Sequence, residues 1–405
     1  MWNPQAKQLA HGWRHSFDGL ASLTQQARQR GQKIAWFHAA SLGEFEQARP
    51  VIETFLRQHA DYLVCLTFFS PSGYEVRHNY DQVHLVAYMP LDTPGNARLW
   101  IEQLSPTVAF FVKYEFWYNM LGQLCRHNIP TYLFSAIFRP SQYFFRPLTG
   151  HWPRRQLRCY SHIFVQNQES LTLLTEKAAL THVSIAGDTR FDRVHDIAQH
   201  APARPEIEAF VCDNPVLLAG SSWEPDEQNI HHFFQHYQGT LKLILAPHMI
   251  GENHLQAIEQ LFGHGTIRYT QLKQLTEQGD NEALQQISRC HTLIIDNLGM
   301  LSSLYRYATI AYIGGGFGKG IHNILEAIIF GKPVIFGPYH TKFKEALDII
   351  ACNGGKSYRT IDELTTCLTT WLTDDNAYQQ AAKQSEQYAH ANLGATATIL
   401  ATIQL

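Results

Sequence analysis

Short apolar runs rich in β-branched and aromatic residues recur along this chain, each followed by a longer stretch of helical spacing. That repetition limits the fold more than any other feature. The runs at 33–38, 62–68, 83–88, 107–111, 131–134 and 162–165 are short and end in turn signals, which suits buried parallel strands. Helical patterns at 43–58, 92–103 and 116–126 lie between them. Repeated β-then-α order predicts an open parallel sheet with helices on both faces. A second series follows at 215–219, 242–246, 292–296, 310–313 and 333–336. The join holds Pro202, Pro205 and Pro215 and has no strong strand signal. At 405 residues the chain suits two domains. The expected organisation is a domain at 1–195, a linker at 196–214, a second domain at 215–375, and a helical tail at 376–405 returning to the first. The fold class is α/β, with two Rossmann-like parallel-sheet domains facing across a cleft. Sheets of this kind bind ligands at the C-terminal ends of their strands.

Composition narrows the class of function. Lys and Arg number 32 against 35 Asp and Glu, and a formal charge of −3 leaves no basic footprint for nucleic acid. The seven cysteines are scattered and nowhere spaced C-x-x-C, so neither a disulfide framework nor a zinc knuckle is expected. The first fifteen residues have no apolar core, and no window is apolar enough for a membrane span. These features predict a soluble cytoplasmic protein.

The segment Gly314-Gly315-Gly316-Phe317-Gly318-Lys319-Gly320 places five glycines in seven residues between a strand and a helix. Glycine lets backbone approach a ligand closely, and the N–H groups of a helix start favour an anion such as phosphate. Lys319 would add a mobile positive charge. No P-loop is present, because Lys319 is followed by Gly320. A dinucleotide fingerprint would follow the first strand of its domain, and this loop comes late in the second. Asn323 and Glu326 have the spacing of a capping box, and a carboxylate there would equally suit ribose hydroxyls. Both readings are open.

Ser41-Leu42-Gly43-Glu44 follows the first strand and has the same ambiguity. Ser41 as N-cap with Glu44 three residues on is a capping box. Gly43 in the first turn lowers helix propensity, which makes sense where a substrate must come close to Glu44. A carboxylate so placed would take a proton from an attacking hydroxyl.

Five motifs now stand in order: Trp36-Phe37-His38-Ala39-Ala40-Ser41-Leu42-Gly43-Glu44, Lys113-Tyr114-Glu115-Phe116-Trp117, Ser135-Ala136-Ile137-Phe138-Arg139-Pro140-Ser141, Gly187-Asp188-Thr189-Arg190-Phe191-Asp192, and Gly314–Gly320 with His322, Asn323 and Glu326. Together they resemble the 3-deoxy-D-manno-octulosonic acid (Kdo) transferases of lipopolysaccharide assembly. The resemblance implies a GT-B fold, an inverting reaction without metal or other cofactor, CMP-Kdo as donor, and lipid A precursor (lipid IVA) as acceptor. It implies Glu44 as catalytic base and Glu115 on the acceptor side. Donor contacts are expected from Arg190, Ser221, Pro247, His248, Gly314, Gly315, Gly316, Lys319, Asn323 and Glu326. The chain departs from the family at Trp223, where a histidine is usual, and at Arg190, where lysine is common. Many members open with a membrane-anchoring helix. Here peripheral contact with the cytoplasmic face of the inner membrane is expected.

From Phe138 to Arg158, five arginines, Arg139 and Arg146 among them, interleave with Tyr143, Phe144, Phe145 and Trp152. Arginine suits phosphate and aromatic rings suit a membrane interface, so Arg139 and Arg146 are expected on the acceptor. His231, His232 and His236 lie together without a metal-ligand pattern and are read as surface or packing residues. The rival functions are another GT-B nucleotide-sugar enzyme, such as a 2-epimerase, and a lipid-binding protein of this fold without chemistry.

Overall fold

A computed structural model describes residues 4–146, 150–279 and 281–405, with residues 4–6, 151, 152, 281 and 284 described by backbone alone. Two compact units result: residues up to Arg193 together with Asn392–Leu405, and Val194–Ala391.

The first unit holds β1 (Lys33–Ala39), β2 (Tyr62–Phe68), β3 (Leu85–Tyr88), β4 (Val108–Val112), β5 (Thr131–Ala136), β6 (His162–Val165) and β7 (Val183–Ile185). All pair in parallel, in the order β3-β2-β1-β4-β5-β6-β7. Ile34 and Trp36 pack on one face with Cys65, Phe111 and Leu133, while Phe37 and Ala39 pack on the other with Leu66, Phe110 and Phe134. Burial on both faces is why these strands read as continuous apolar runs rather than alternating ones.

The second unit holds β8 (Val216–Ser222), β9 (Lys242–Pro247), β10 (Thr266–Arg268), β11 (Thr292–Ile294), β12 (Ile310–Ile313), β13 (Val334–Phe336) and β14 (Gly355–Ser357). Its order is β10-β11-β9-β8-β12-β13-β14, again all parallel. This twin parallel-sheet architecture is the GT-B fold.

Three strands have no counterpart in the sequence expectation: β7, β10 and β14. Each is three residues long and lies at a sheet edge, too short and too half-covered to leave an apolar run. Pro205, one of the prolines behind the expected linker, opens the helix Pro205–Val211, where a proline in the first turn loses no hydrogen bond. The end of the chain divides between the units. Asp375–Ala391 belongs to the second, while the helix Ala395–Thr402 belongs to the first and buries Ile399 and Leu400 beside Phe45 and Phe110. Asp192 secures that helix by accepting from the N–H groups of Gly394 at 2.7 Å and Thr396 at 2.6 Å. Among the described residues, no helix is long and apolar enough to cross a membrane.

Candidate active site

In each sheet the strand order reverses beside the first strand, at β1/β4 and at β8/β12. Loops leaving the C-terminal ends of those strands splay apart and leave a crevice. At the first reversal, β1 runs through Ala40 into Ser41, and the helix Leu42–Gln58 begins. The Glu44 carboxylate turns back to accept from the Ser41 N–H at 3.1 Å and its hydroxyl at 3.3 Å, both on Oε2. Burial and the nearby Glu115 charge raise the pKa of Glu44, against the opposing pull of Lys113, His38 and the Ser41 bond. The result is a half-buried carboxylate with more than ordinary affinity for a proton.

Glu115 follows β4 at the same reversal. Lys113, two residues earlier, adopts φ 69°, which turns the chain sharply off the strand. Glu115 is 5% exposed. Its Oε2 accepts from His38 Nε2 at 3.1 Å and from the indole N–H of Trp117, while its backbone carbonyl accepts from the Tyr160 hydroxyl. His38 is fully buried on the Ile34–Trp36 face of β1, and its Nδ1 lies 2.8 Å from Thr67 Oγ1. Arg139 and Arg146 stand exposed in the loop after β5. Between them Tyr143 is exposed, whereas Phe144 is fully buried against Phe116 and Phe138. Part of the aromatic signal therefore belongs to the core. Residues 147–149 and the side chain of Trp152 lie outside the described residues.

Arg190 also lies in the first unit, at the start of the helix Thr189–Gln199. Its guanidinium meets Asp188 Oδ2 at 2.7 and 2.8 Å. Burial alone would raise the Asp188 pKa, but Arg190 and a 3.0 Å bond from Gln47 outweigh it and hold the carboxyl below its usual value. The other residues expected at the donor lie in the second unit.

In that unit the glycine segment leaves β12 beside Ser221, itself at φ 53°. A Cβ on Gly314 would collide with the Ser221 carbonyl, and one on Gly316 would lie 2.5 Å from the Gly337 nitrogen. At Gly315, φ 88°, a Cβ would likewise lie 2.6 Å from the Gly320 carbonyl oxygen, so three of the five glycines are required by backbone packing within the protein. Gly318 meets no such contact. The loop is held from below by Asp226, whose Oδ2 accepts from Gly315 N–H at 2.9 Å and from Trp223 N–H at 3.0 Å, and whose Oδ1 accepts from the Tyr312 hydroxyl at 2.8 Å. The N–H groups of Gly316, Phe317 and Lys319 take no partner among the described residues. The following helix spans only Leu325–Ile328, too short for an appreciable dipole. Lys319 is exposed.

Asn323 accepts from Leu325 N–H at 3.1 Å and donates its amide to Glu326 Oε1 at 3.0 Å. The asparagine serves the helix start; the glutamate binds the asparagine. Pro247 ends β9 opposite Ser222, and the next residue, His248, is exposed. His248 stacks between Trp223 and His322, with ring centroids 4.6 and 4.5 Å away. Trp223 closes the group by donating its indole N–H to His322 Nε2 at 3.1 Å. Burial and His248 lower the His322 pKa.

Sequence reasoning assigned no role to His38, Thr67, Asp226 or His322. One signal was available: His38 is a polar residue in an otherwise apolar run. Thr67 and Asp226 act through partners 29 and 89 residues away, and no local pattern marks them.

The family model for 3-Deoxy-D-manno-octulosonic-acid transferase (kdotransferase) matches residues 11–193. The 3-deoxy-D-manno-octulosonic acid transferase of Bordetella pertussis is 27% identical over 91% of this chain and 86% of its own length. That of Aquifex aeolicus is 26% identical over 84% and 86%. Among solved structures, the UDP-GlcNAc 2-epimerase of Neisseria meningitidis bound to UDP-GlcNAc matches with a TM-score of 0.62 at 16% identity, over 92% of this chain and 99% of that one, a likeness of fold. The first unit thus matches the model of the 3-deoxy-D-manno-octulosonic acid transferase family, and relatives of that name, similar at 26–27% identity, span both units.

Proposed function

We propose that this protein transfers Kdo from CMP-Kdo to lipid A precursor with inversion at the anomeric carbon, using Glu44 as base. One observation supports this above the others. A half-buried carboxylate, raised in proton affinity by burial and by Glu115, stands where the strand order reverses. Such a group is a stronger base than an ordinary carboxylate toward the proton of an attacking sugar hydroxyl. Glu115 would orient the acceptor, and the exposed Arg139 and Arg146 would meet its phosphates. As the bond from Kdo to CMP breaks, positive character develops on the sugar and negative charge on the leaving phosphate. The N–H groups of Gly316, Phe317 and Lys319, with the Lys319 ammonium, are the donors suited to that charge. Ser221, Pro247, His248, Gly314, Gly315, Asn323 and Glu326 form the walls of the donor site in this reading. Arg190 is a further donor contact in this reading. No metal or other cofactor takes part. Action at the cytoplasmic face of the inner membrane, by peripheral contact, follows from a lipid acceptor and a cytosolic donor.

Incubation with CMP-Kdo and lipid A precursor tests the reading. CMP release with a lipid heavier by one or more Kdo units is expected. Free CMP without a heavier lipid, or interconversion of a nucleotide sugar without any lipid, would replace it with hydrolysis or epimerisation.

A further inference from the structure

Behind Glu115 lies a chain of buried hydrogen bonds that none of the steps above uses. Trp36 donates its indole N–H to Thr67 Oγ1 at 2.9 Å, and an indole nitrogen can only donate. Thr67 then has one proton to give, either to His38 Nδ1 at 2.8 Å or to the Phe37 carbonyl at 3.4 Å. An ionised carboxylate can only accept, so the contact of Nε2 with Glu115 Oε2 at 3.1 Å places the imidazole proton on Nε2, and Nδ1 of the neutral ring accepts from Thr67. Trp117 donates to that same oxygen. Two donors on Oε2 fix the carboxylate plane, and Oε1 takes no donor among the described residues. Trp36, His38 and Thr67 are all fully buried, so water does not compete for these bonds.

We propose that His38 is a positioning residue for acceptor recognition: held in its Nε2–H tautomer by Trp36 and Thr67, it pins one oxygen of Glu115 so that the other faces the acceptor's hydroxyl. The proposal rests on the acceptor role given to Glu115 above. A histidine filling space in a core would need neither a fixed tautomer nor both ring nitrogens bonded. His38 has partners at both.

The first test is spectroscopic and independent of turnover. In protein labelled with 15N-histidine, His38 should show the neutral Nε2–H tautomer, and in Thr67→Val that signature should be lost. A neutral Nδ1–H tautomer in the wild type would overturn the proposal whether or not the enzyme transfers Kdo. If the wild type shows no transfer, the functional reading falls separately, and the tautomer still decides the geometry.

The second test is kinetic. His38→Gln places an amide N–H near the Nε2 position, whereas His38→Asn reaches only the Nδ1 position. With His38→Asn the acceptor KM should rise about tenfold, the scale of one lost hydrogen bond to a charged group, with the CMP-Kdo KM unchanged. His38→Gln should recover most of that loss, and Thr67→Ser should behave as wild type. Equal falls in kcat for both His38 variants, with neither KM moved, would reduce His38 to a packing residue. Should His38→Asn not fold, Thr67→Val supplies the same kinetic comparison.

Discussion

Glu44 accepts from the backbone N–H and the hydroxyl of Ser41 through a single oxygen, Oε2, at 3.1 and 3.3 Å. Its Oε1 takes no donor among the described residues. Capping and catalysis are therefore not rival explanations of the Ser41–Glu44 spacing. The cap uses one oxygen and holds the other in a defined direction. Glu115 repeats the arrangement, with both donors on its Oε2.

That division makes Glu44→Gln a clean probe. The amide oxygen can still accept from Ser41, so Tm should change little, while the loss of the base should lower turnover by about 10²–10⁴. Glu44→Ala should also lose the cap, at about 1 kcal/mol or roughly 2–4 °C in Tm. CMP affinity by calorimetry should stay within about twofold for both. Retention of most turnover by Glu44→Gln would remove the base assignment.

The direction of the Glu44 shift predicts a pH profile. The base works ionised, so kcat should fall as pH drops through a pKa above the ordinary glutamate value of 4.5. Glu115→Gln removes the like charge and should move this acid limb to lower pH. Lys113→Met removes an opposing charge and should move it higher. Profiles at saturating acceptor for the three proteins would check the order. Limbs that coincide would mean that neither charge tunes the base.

In the second unit, Trp223 can donate to His322 only while Nε2 of that ring is unprotonated. Burial and His248 both lower the His322 pKa, so by NMR it should titrate below the ordinary histidine value of 6.5. His248→Ala should move the titration upward by removing the neighbouring positive charge. A His322 midpoint at or above 6.5 in the wild type would contradict the stacked arrangement.

The glycine segment should divide into two classes under substitution. Gly316→Ala drives a Cβ against Gly337 backbone and should cost about 1–3 kcal/mol in urea unfolding. Gly318→Ala meets nothing closer than 3.6 Å and has no positive φ, so its stability should stay within about 0.5 kcal/mol of wild type. Equal losses at both positions would argue against backbone packing as the reason for Gly316.

Eleven strands were legible because burial on both faces of a parallel sheet leaves an uninterrupted apolar run, as in 62–68, where every residue is buried. The edge strands β7, β10 and β14 were not, because one neighbour and partial cover impose no such run. The Pro205 signal was legible but double in meaning, since a proline that breaks one element also starts the next. At the site, Glu44 and Glu115 stood out through motifs that hold them near their own strand ends. Phe144, read with the exposed aromatics, went into the core because its position in the 3₁₀ turn Tyr143–Phe145 faces Phe116 and Phe138.

The sequence by itself determined two parallel α/β units, the motif order that carries the family resemblance, and the two carboxylates proposed for the acceptor side. Each is written locally, in a run, a turn or a spacing of a few residues. Only the tertiary structure decided what surrounds those groups: which oxygen of Glu44 and Glu115 is occupied, that Asp226 holds the glycine loop, that Gly314, Gly315 and Gly316 answer to backbone rather than ligand, and that Trp223, His248 and His322 stack. The reason is physical. Hydrogen-bond partners and close packing depend on which strand ends meet, and here those meetings join residues dozens of positions apart, such as His38 and Glu115.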